Sequence, residues 1–210
     1  FAAAPSQNEF LEALINTGGI EWNRVNAFHM DDYIGLAKDA PQRFGNFLRD
    51  RIFSKVPFKT VNYIDGNTDD PEKECIRYAD LLKQYPVDIV CMGIGENGHI
   101  AFNDPQAARF DDPKLVKIVE LDKVCRQQQV NDGCFKRFDE VPTHAFSLTI
   151  PALMAGKYLF CMVPGKTKAD AVTRTIKGKI DKSCPASILK NHDHATLYIE
   201  KDSASGILNH

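Results

Sequence analysis

Short apolar segments alternate with amphipathic segments along most of the chain, and this alternation limits the possible folds more than any other feature. Val87–Met92 is apolar except for Asp88, which is typical of a central parallel strand. Tyr158–Val163 is a second strand candidate, and the helical pattern of Lys166–Ile176 follows it. The alternation predicts an α/β fold, with a mostly parallel sheet, helices on both faces and a single domain over residues 1–210.

Charge and composition argue against several classes of partner. The chain has 26 basic and 28 acidic residues, a formal net charge of −2, and no long basic run that would favour nucleic acid. No apolar stretch reaches the roughly 18 residues that span a bilayer. Six cysteines occur without a C-x-x-C pair, which favours a reduced, cytoplasmic protein over a structural zinc site. We expect no membrane partner, and the sequence is compatible with a homo-oligomer.

Two adjacent acids, Asp31 and Asp32, directly follow the apolar segment Val25–Met30. Ligands of α/β sheets bind outside the carboxyl ends of strands, so an acid at this position could serve as a general base. Aspartate also caps helices and occupies solvated turns, and the pattern alone leaves both interpretations open.

A glycine-rich loop with Gly95 and Gly98 follows the strand candidate Val87–Met92, and His99 lies directly after it. Histidine titrates near neutral pH and can shuttle protons, while Asp104 could orient the imidazole. The three glycines from Gly93 onward also match the dinucleotide-binding fingerprint. That match is weak, because a helix opening at Gly98 would be interrupted by the proline at position 105.

Two strand-to-helix turns offer sites for an anion. Lys168 lies at the start of the predicted helix after Tyr158–Val163, where backbone N–H groups attract phosphate. The segment Ala4–Gln7 forms a second turn of this kind. Together with an acid and a histidine at other strand ends, these turns predict a small phosphorylated substrate.

Two long segments resemble motifs of the glucosamine-6-phosphate deaminases. His29–Leu36 is similar to the family's Met-Asp-Glu-Tyr-Val-Gly-Leu motif, and Gly95–Pro105 resembles its Gly-x-(Asp/Asn)-Gly-His-Ile-(Ala/Gly)-Phe-Asn-Glu-Pro motif. The stretch from Val141 to Ala169 resembles the region that ends in the family's phosphate-binding lysine. The resemblance covers essentially the whole chain and implies a modified Rossmann-like fold. It also implies conversion of glucosamine 6-phosphate to fructose 6-phosphate and ammonia, without a metal or other cofactor.

The resemblance also implies roles for individual residues. Asp31 corresponds to the base that moves a proton from C2 towards C1, and His99 to the catalyst of ring opening. Asp104 stands where the family has glutamate, so we expect its shorter side chain to reach His99 through water or a shifted loop. Asn97 stands where some members have aspartate. The predicted substrate-binding residues are Ala4, Ser6, Gln7, Asp32, Gly95, Gly98, Arg126 and Lys168.

Several departures from the family pattern leave alternatives open. Ala4–Gln7 lacks the glycines of the family's phosphate loop. The family's Asn-Ser-Arg motif corresponds to residues between 126 and 133, so Arg126 or another residue of this interval replaces its arginine. A strand and a helix expected by the resemblance would precede Phe1. A 6-phosphogluconolactonase-type hydrolase, a non-catalytic sugar-phosphate sensor and a deaminase of galactosamine 6-phosphate are the competing interpretations. No activator site can be assigned from the sequence.

Overall fold

A computed structural model describes residues 1–208 and contains eight short strands and six α-helices. The strands are β1 (Asn26–Phe28), β2 (Asp31–Tyr33), β3 (Thr60–Asn62), β4 (Ile89–Met92), β5 (Val116–Glu120), β6 (His144–Leu148), β7 (Tyr158–Val163) and β8 (Ala195–Ile199). The helices are α1 (Asn8–Ile15), α2 (Phe44–Leu48), α3 (Pro71–Gln84), α4 (Lys123–Asn131), α5 (Ile150–Met154) and α6 (Ala169–Lys177). This mixture confirms the predicted α/β class.

The strands form two parallel sheets and one antiparallel sheet. Parallel pairing joins β1 to β3 and orders the second sheet as β4-β7-β8, so β7 rather than β4 is the central strand. In the third sheet, β6 lies between β2 and β5 and is antiparallel to both. The pattern of apolar residues predicts that a strand exists but carries no information about the direction of its partner.

Helix α4 was not predicted, because its buried face is largely polar. Cys125, Gln128 and Gln129 are its buried residues, so the apolar periodicity that marks most helices is missing. Its N-terminus has an ordinary cap, since the Asp122 side chain accepts a hydrogen bond from the Cys125 backbone N–H at 2.6 Å. The cap was therefore the available sequence signal for this helix.

Two clusters of buried apolar side chains form the core. One surrounds the parallel strands and includes Met92 and Leu159, and the other includes Tyr33, Phe44 and Phe102. No helix within residues 1–208 is both long enough and apolar enough to cross a membrane.

The carboxylate of Asp32 fastens β2 to the N-terminus of α2. Asp32 Oδ1 accepts hydrogen bonds from the backbone N–H of Tyr33 at 2.9 Å and of Phe44 at 3.0 Å, and Oδ2 accepts one from Gly45 at 3.2 Å. Arg43 lies 3.8 Å from Oδ2. Burial raises the pKa of Asp32 to about 6, against the opposing effect of these donors and of Arg43. The side chain therefore caps a helix that begins twelve residues later in the sequence.

We predict that Asp32→Ala lowers the free energy of unfolding by about 2–4 kcal/mol, because it leaves buried N–H groups of β2 and α2 without partners. Urea unfolding of the two proteins measures the difference. Asp50→Ala is the matched control, since the Asp50 side chain is more than half exposed and should change stability by less than about 0.5 kcal/mol. An Asp32→Ala protein as stable as this control would contradict the capping role.

Candidate active site

A pocket opens where several strands end, at the boundary between the two core clusters. Segments after β1, β4 and β7 contribute Met30, Ile94 and Pro164 to its wall, and Phe44 and Phe102 line it from the second cluster. The pocket lies where we expect a ligand site, outside the carboxyl ends of parallel strands.

The alternation of side chains along β2 sends its two acids in different directions. Asp31 lines the pocket and is 6% exposed, whereas Asp32 is fully buried beneath α2 and does not line it. Burial, and to a smaller extent the charge of Asp32, raise the pKa of Asp31 well above its ordinary value. The structure therefore does not bring Asp32 to the pocket with the other predicted substrate-binding residues, because backbone N–H groups occupy its carboxylate.

The imidazole of His99 is held on one side by two acceptors. Its Nδ1 lies 2.8 Å from Asn97 Oδ1 and 3.0 Å from Asp104 Oδ1. A carboxylate oxygen and an amide oxygen can only accept hydrogen bonds, so this geometry assigns the proton to Nδ1. Nε2 then keeps its lone pair, and His99 lines the pocket. This arrangement suits a group that accepts a proton from a ligand.

Asp104 contacts His99 directly, so the expectation that its short side chain needs water or a shifted loop is wrong. Asn97 links the two groups, because its side-chain N–H donates to Asp104 Oδ1 at 2.8 Å while its Oδ1 faces His99. Burial on its own would raise the pKa of Asp104. The hydrogen bonds from His99, Asn97 and the Cys125 thiol, together with the electrostatic interaction with His99, outweigh burial and lower the pKa of Asp104.

Glycine is required where His99 folds back over its own loop. The loop is closed by hydrogen bonds from Gly95 N–H to His99 O and from Gly98 N–H to Gly95 O, both at 2.9 Å. A Cβ atom at Gly95 would collide with the His99 ring. Gly98 has a φ of +90°, which favours glycine, but it packs against Cys184 and does not line the pocket. Gly95 thus fits its predicted place in the site, whereas Gly98 shapes the turn.

The other end of the pocket carries a buried cation. Lys168 lines this end with only 7% of its surface exposed, beside Ala4, Ser6, Gln7 and Thr167. Burial lowers the pKa of Lys168, and the nearby acids Asp132 and Glu96 oppose that effect. The predicted residues of the two strand-to-helix turns therefore lie together in the structure.

Arg126 lies outside this group, so the structure does not bring the guanidinium predicted to bind phosphate together with Lys168. Its Nη2 donates hydrogen bonds to the backbone oxygens of Phe138 at 3.0 Å and Val141 at 2.7 Å, and the guanidinium stacks 4.2 Å from the Phe138 ring centre. These contacts hold the side chain against the segment after α4, and Arg126 does not line the pocket.

Sequence reasoning missed the polar side chains that α4 and its C-terminus bring to the pocket, namely Gln128, Gln129 and Asp132. Gln128 Oε1 accepts a hydrogen bond from the Glu96 backbone N–H at 3.1 Å, and its Nε2 donates to Asp132 Oδ2 at 3.3 Å. Gln128 thereby braces the loop that carries His99. The capping aspartate of α4 was the only signal that could have placed these residues on one helix.

Comparisons with known proteins agree with this geometry. Residues 5–198 match the family model described as glucosamine-6-phosphate isomerases/6-phosphogluconolactonase. A glucosamine-6-phosphate deaminase of Listeria innocua is 37% identical over 97% of this chain and 85% of its own length. A relative of the same name from Clostridium novyi is 36% identical over 89% of this chain and 76% of its own length.

Solved structures give the same result. A monomeric glucosamine-6-phosphate deaminase superposes with a TM-score of 0.91 at 30% identity, covering 98% of this chain and 86% of its own. A 6-phosphogluconolactonase from Thermotoga maritima shares the fold, with a TM-score of 0.75 at 20% identity over 95% of this chain and 83% of its own. The matched residues, the identities and the shared fold show that this chain belongs to the family of glucosamine-6-phosphate isomerases and 6-phosphogluconolactonases.

Proposed function

We propose that this chain is a glucosamine-6-phosphate deaminase, which converts glucosamine 6-phosphate to fructose 6-phosphate and ammonia. The observation that carries the proposal is one pocket lined by a buried carboxyl group, a histidine with a free nitrogen and a buried lysine, which are Asp31, His99 and Lys168. Aldose–ketose conversion needs two separate proton transfers, and a phosphorylated sugar needs a cationic anchor.

His99 opens the sugar ring in this proposal. Its Nε2 accepts the proton of the anomeric hydroxyl group and returns it to the ring oxygen as the C1–O5 bond breaks. Asp104 and Asn97 hold Nδ1–H, which fixes the tautomer and stabilises the imidazolium while the proton resides on it. Because Asn97 and Asp104 lie behind the ring, they are positioning residues for this step.

Asp31 then moves the proton that isomerises the open chain. Its carboxylate removes the proton from C2 and returns it at C1, while O1 gains a proton and the amine nitrogen loses one as the C2–N double bond forms. The amino aldehyde thereby becomes an imine at C2 with a hydroxyl group at C1. Water adds to that imine, and ammonia leaves to give the ketone. The raised pKa of Asp31, caused first by burial, makes it a stronger base than an exposed aspartate.

The phosphate group is assigned to the end of the pocket at Lys168. The ammonium group and the hydroxyl groups of Ser6 and Thr167 are the donors that line this part of the pocket. Asp132 lies near Lys168 and reduces the positive potential at this end of the pocket. We therefore assign Lys168 the largest share of phosphate affinity.

Lactone hydrolysis explains the pocket less well. A lactonase needs an activated water but no base at C2, so Asp31 would have no role in that reaction. The 6-phosphogluconolactonase from Thermotoga maritima is 20% identical to this chain in sequence, whereas the glucosamine-6-phosphate deaminase of Listeria innocua is 37% identical. The epimer at C4 is left open, since nothing in the pocket separates glucosamine 6-phosphate from galactosamine 6-phosphate.

The proposed setting of the enzyme is the cytoplasm. All six cysteines are free, which suits a reducing compartment. Every residue assigned a role comes from one chain, so the proposed chemistry does not require a second copy, although it is compatible with a homo-oligomer.

For Asp31→Asn, we expect kcat for ammonia release from glucosamine 6-phosphate to fall by about 10²- to 10⁴-fold, because the amide cannot accept the C2 proton. Binding of fructose 6-phosphate should change little. Asp111→Asn is the control, since its side chain is 87% exposed on the surface. Wild-type rates in Asp31→Asn would refute the assignment of the base.

The Asp31→Asn variant also tests how the buried carboxyl group affects the free energy of unfolding, independently of its effect on turnover. The raised pKa means that the stabilising contribution of Asp31 is fully present below the ordinary aspartate pKa of about 4 and is lost as pH rises through the folded-state pKa. The unfolding free energy of Asp31→Asn relative to wild type should therefore increase as pH rises from about 4 towards neutrality. A relative stability that stays constant or decreases over this interval would contradict the burial argument.

For Lys168→Ala, we expect KM for glucosamine 6-phosphate to rise by about 10- to 100-fold with a smaller change in kcat, because a charged hydrogen bond to the phosphate is lost. Lys166→Ala is the matched control, since Lys166 lies in the same turn but is exposed. Equal effects of the two substitutions on KM would remove Lys168 from the phosphate site.

A further inference from the structure

A third side chain lies behind the catalytic histidine, on the side away from Nε2. Cys125, in the first turn of α4, is 1% exposed, and its thiol lies beside the Asp104 carboxylate. A ring nitrogen of His99, a carboxylate oxygen of Asp104 and Cys125 Sγ all lie within 4.8 Å of one another, and the ring nitrogen that faces Asp104 is Nδ1. The ring-opening role assigned to His99 and Asp104 leaves this thiol without a function.

One carboxylate oxygen of Asp104 is available to bind a cation. Its Oδ1 faces Asn97 and His99, whereas among residues 1–208 no nitrogen or oxygen donor reaches its buried Oδ2, and the Cys125 thiol beside the carboxylate is only a weak donor. Asp104 as a whole is 1% exposed. A buried carboxylate oxygen with no stronger donor than a thiol is poorly compensated, and a cation beside it would remove that cost.

The three donors suit Zn²⁺ better than the common hard cations. Zinc binds nitrogen, sulfur and oxygen together at about 2.0–2.3 Å, whereas Mg²⁺ and Ca²⁺ prefer oxygen alone. Those bond lengths place the ligand atoms of a tetrahedral site about 3.4–3.6 Å apart. The 3.0 Å separation of His99 Nδ1 and Asp104 Oδ1 would therefore widen slightly on binding, and the Cys125 thiol, within 4.8 Å of the other two ligand atoms, would move inward where it lies farther away than that. Asn97 Oδ1, 2.8 Å from His99 Nδ1, is near enough to provide a fourth ligand.

Charge balance also favours a divalent ion at this buried position. A thiolate at Cys125 and the carboxylate of Asp104 together neutralise one Zn²⁺, while the imidazole stays neutral. An ion pair of this kind is tolerated in a protein interior because the cluster has no net charge.

We propose that His99, Asp104 and Cys125 form a Zn²⁺ site whose occupation switches off the proposed ring-opening step. When zinc binds, the thiol proton of Cys125 is released to solvent, and the single proton of the neutral imidazole moves from Nδ1 to Nε2. Nε2 then has no lone pair to accept the anomeric proton. Metal binding itself does not depend on the proposed function, whereas inhibition rests on it.

Cobalt tests the binding site without reference to turnover. Metal-free protein is titrated with Co²⁺, whose bond to a thiolate gives a charge-transfer absorption band. We expect a stoichiometry of one, displacement of cobalt by Zn²⁺, loss of the band in Cys125→Ser, and at least about tenfold weaker binding in Asp104→Asn. Cys134→Ser is the matched control, because Cys134 is half-buried and lies outside the cluster. A band absent from wild type, or one retained in Cys125→Ser, would overturn the site.

Inhibition is tested separately with Zn²⁺ in the ammonia assay, each protein being compared with its own metal-free rate. We expect zinc to inhibit wild type and Cys134→Ser reversibly, with recovery on addition of a chelator. The zinc concentration for half-inhibition should be at least about tenfold higher for Cys125→Ser. Cobalt binding at the cluster with zinc-insensitive turnover would overturn the switch. If no sugar phosphate is turned over, the cobalt titration still decides the metal site, so failure of the proposed function is distinguishable.

Discussion

The hydrogen bonds from β2 and α2 to the Asp32 carboxylate are the interaction on which the proposed catalytic geometry most depends. Three backbone N–H groups bind this one side chain, and they hold Phe44 and Gly45 against the strand. Because adjacent side chains of a strand point to opposite faces, fixing Asp32 beneath α2 directs Asp31 into the pocket. Phe44 in turn lines the pocket, and the resulting burial raises the pKa of Asp31. Asp32 thus sets both the position and the basicity of Asp31, the proposed catalytic base beside it.

A second constraint positions His99 independently. The Gly95 loop folds so closely around the imidazole that a Cβ at Gly95 would collide with the ring, and Asn97 and Asp104 hold Nδ1 from behind. The two proton-transfer groups therefore belong to different elements, β2 and the loop after β4, with different supports. This separation suits a reaction in which ring opening and the C2-to-C1 transfer are successive steps. It also explains how a metal held by His99, Asp104 and Cys125 could block the first step without touching Asp31.

Strand-end reasoning could predict Asp31, His99 and Lys168 from the sequence, because the carboxyl ends of parallel strands meet at one edge of a sheet. It could not place Asp32, since proximity in sequence to a catalytic position does not give the direction of a side chain. The family resemblance could not place Arg126, whose guanidinium is held by two backbone oxygens of a segment more than ten residues away. Helix α4 could not be predicted from apolar periodicity because its buried face is polar. The antiparallel sheet could not be predicted because apolar patterns do not encode strand direction. These failures all concern tertiary placement, whereas the α/β class and the family follow from local pattern and motif.

The central claim is that the pocket deaminates an amino-sugar phosphate, and product analysis tests it most directly. Purified protein is incubated in parallel with glucosamine 6-phosphate, galactosamine 6-phosphate and 6-phosphogluconolactone, and ammonia, fructose 6-phosphate and lactone hydrolysis are measured. The account predicts equal amounts of ammonia and fructose 6-phosphate from glucosamine 6-phosphate, and no lactone hydrolysis above the uncatalysed rate. Hydrolysis of the lactone without ammonia from either amino sugar would contradict the account and assign the pocket to lactonase chemistry. Tight binding of the sugar phosphates without turnover would contradict it as well, and would indicate a sensor.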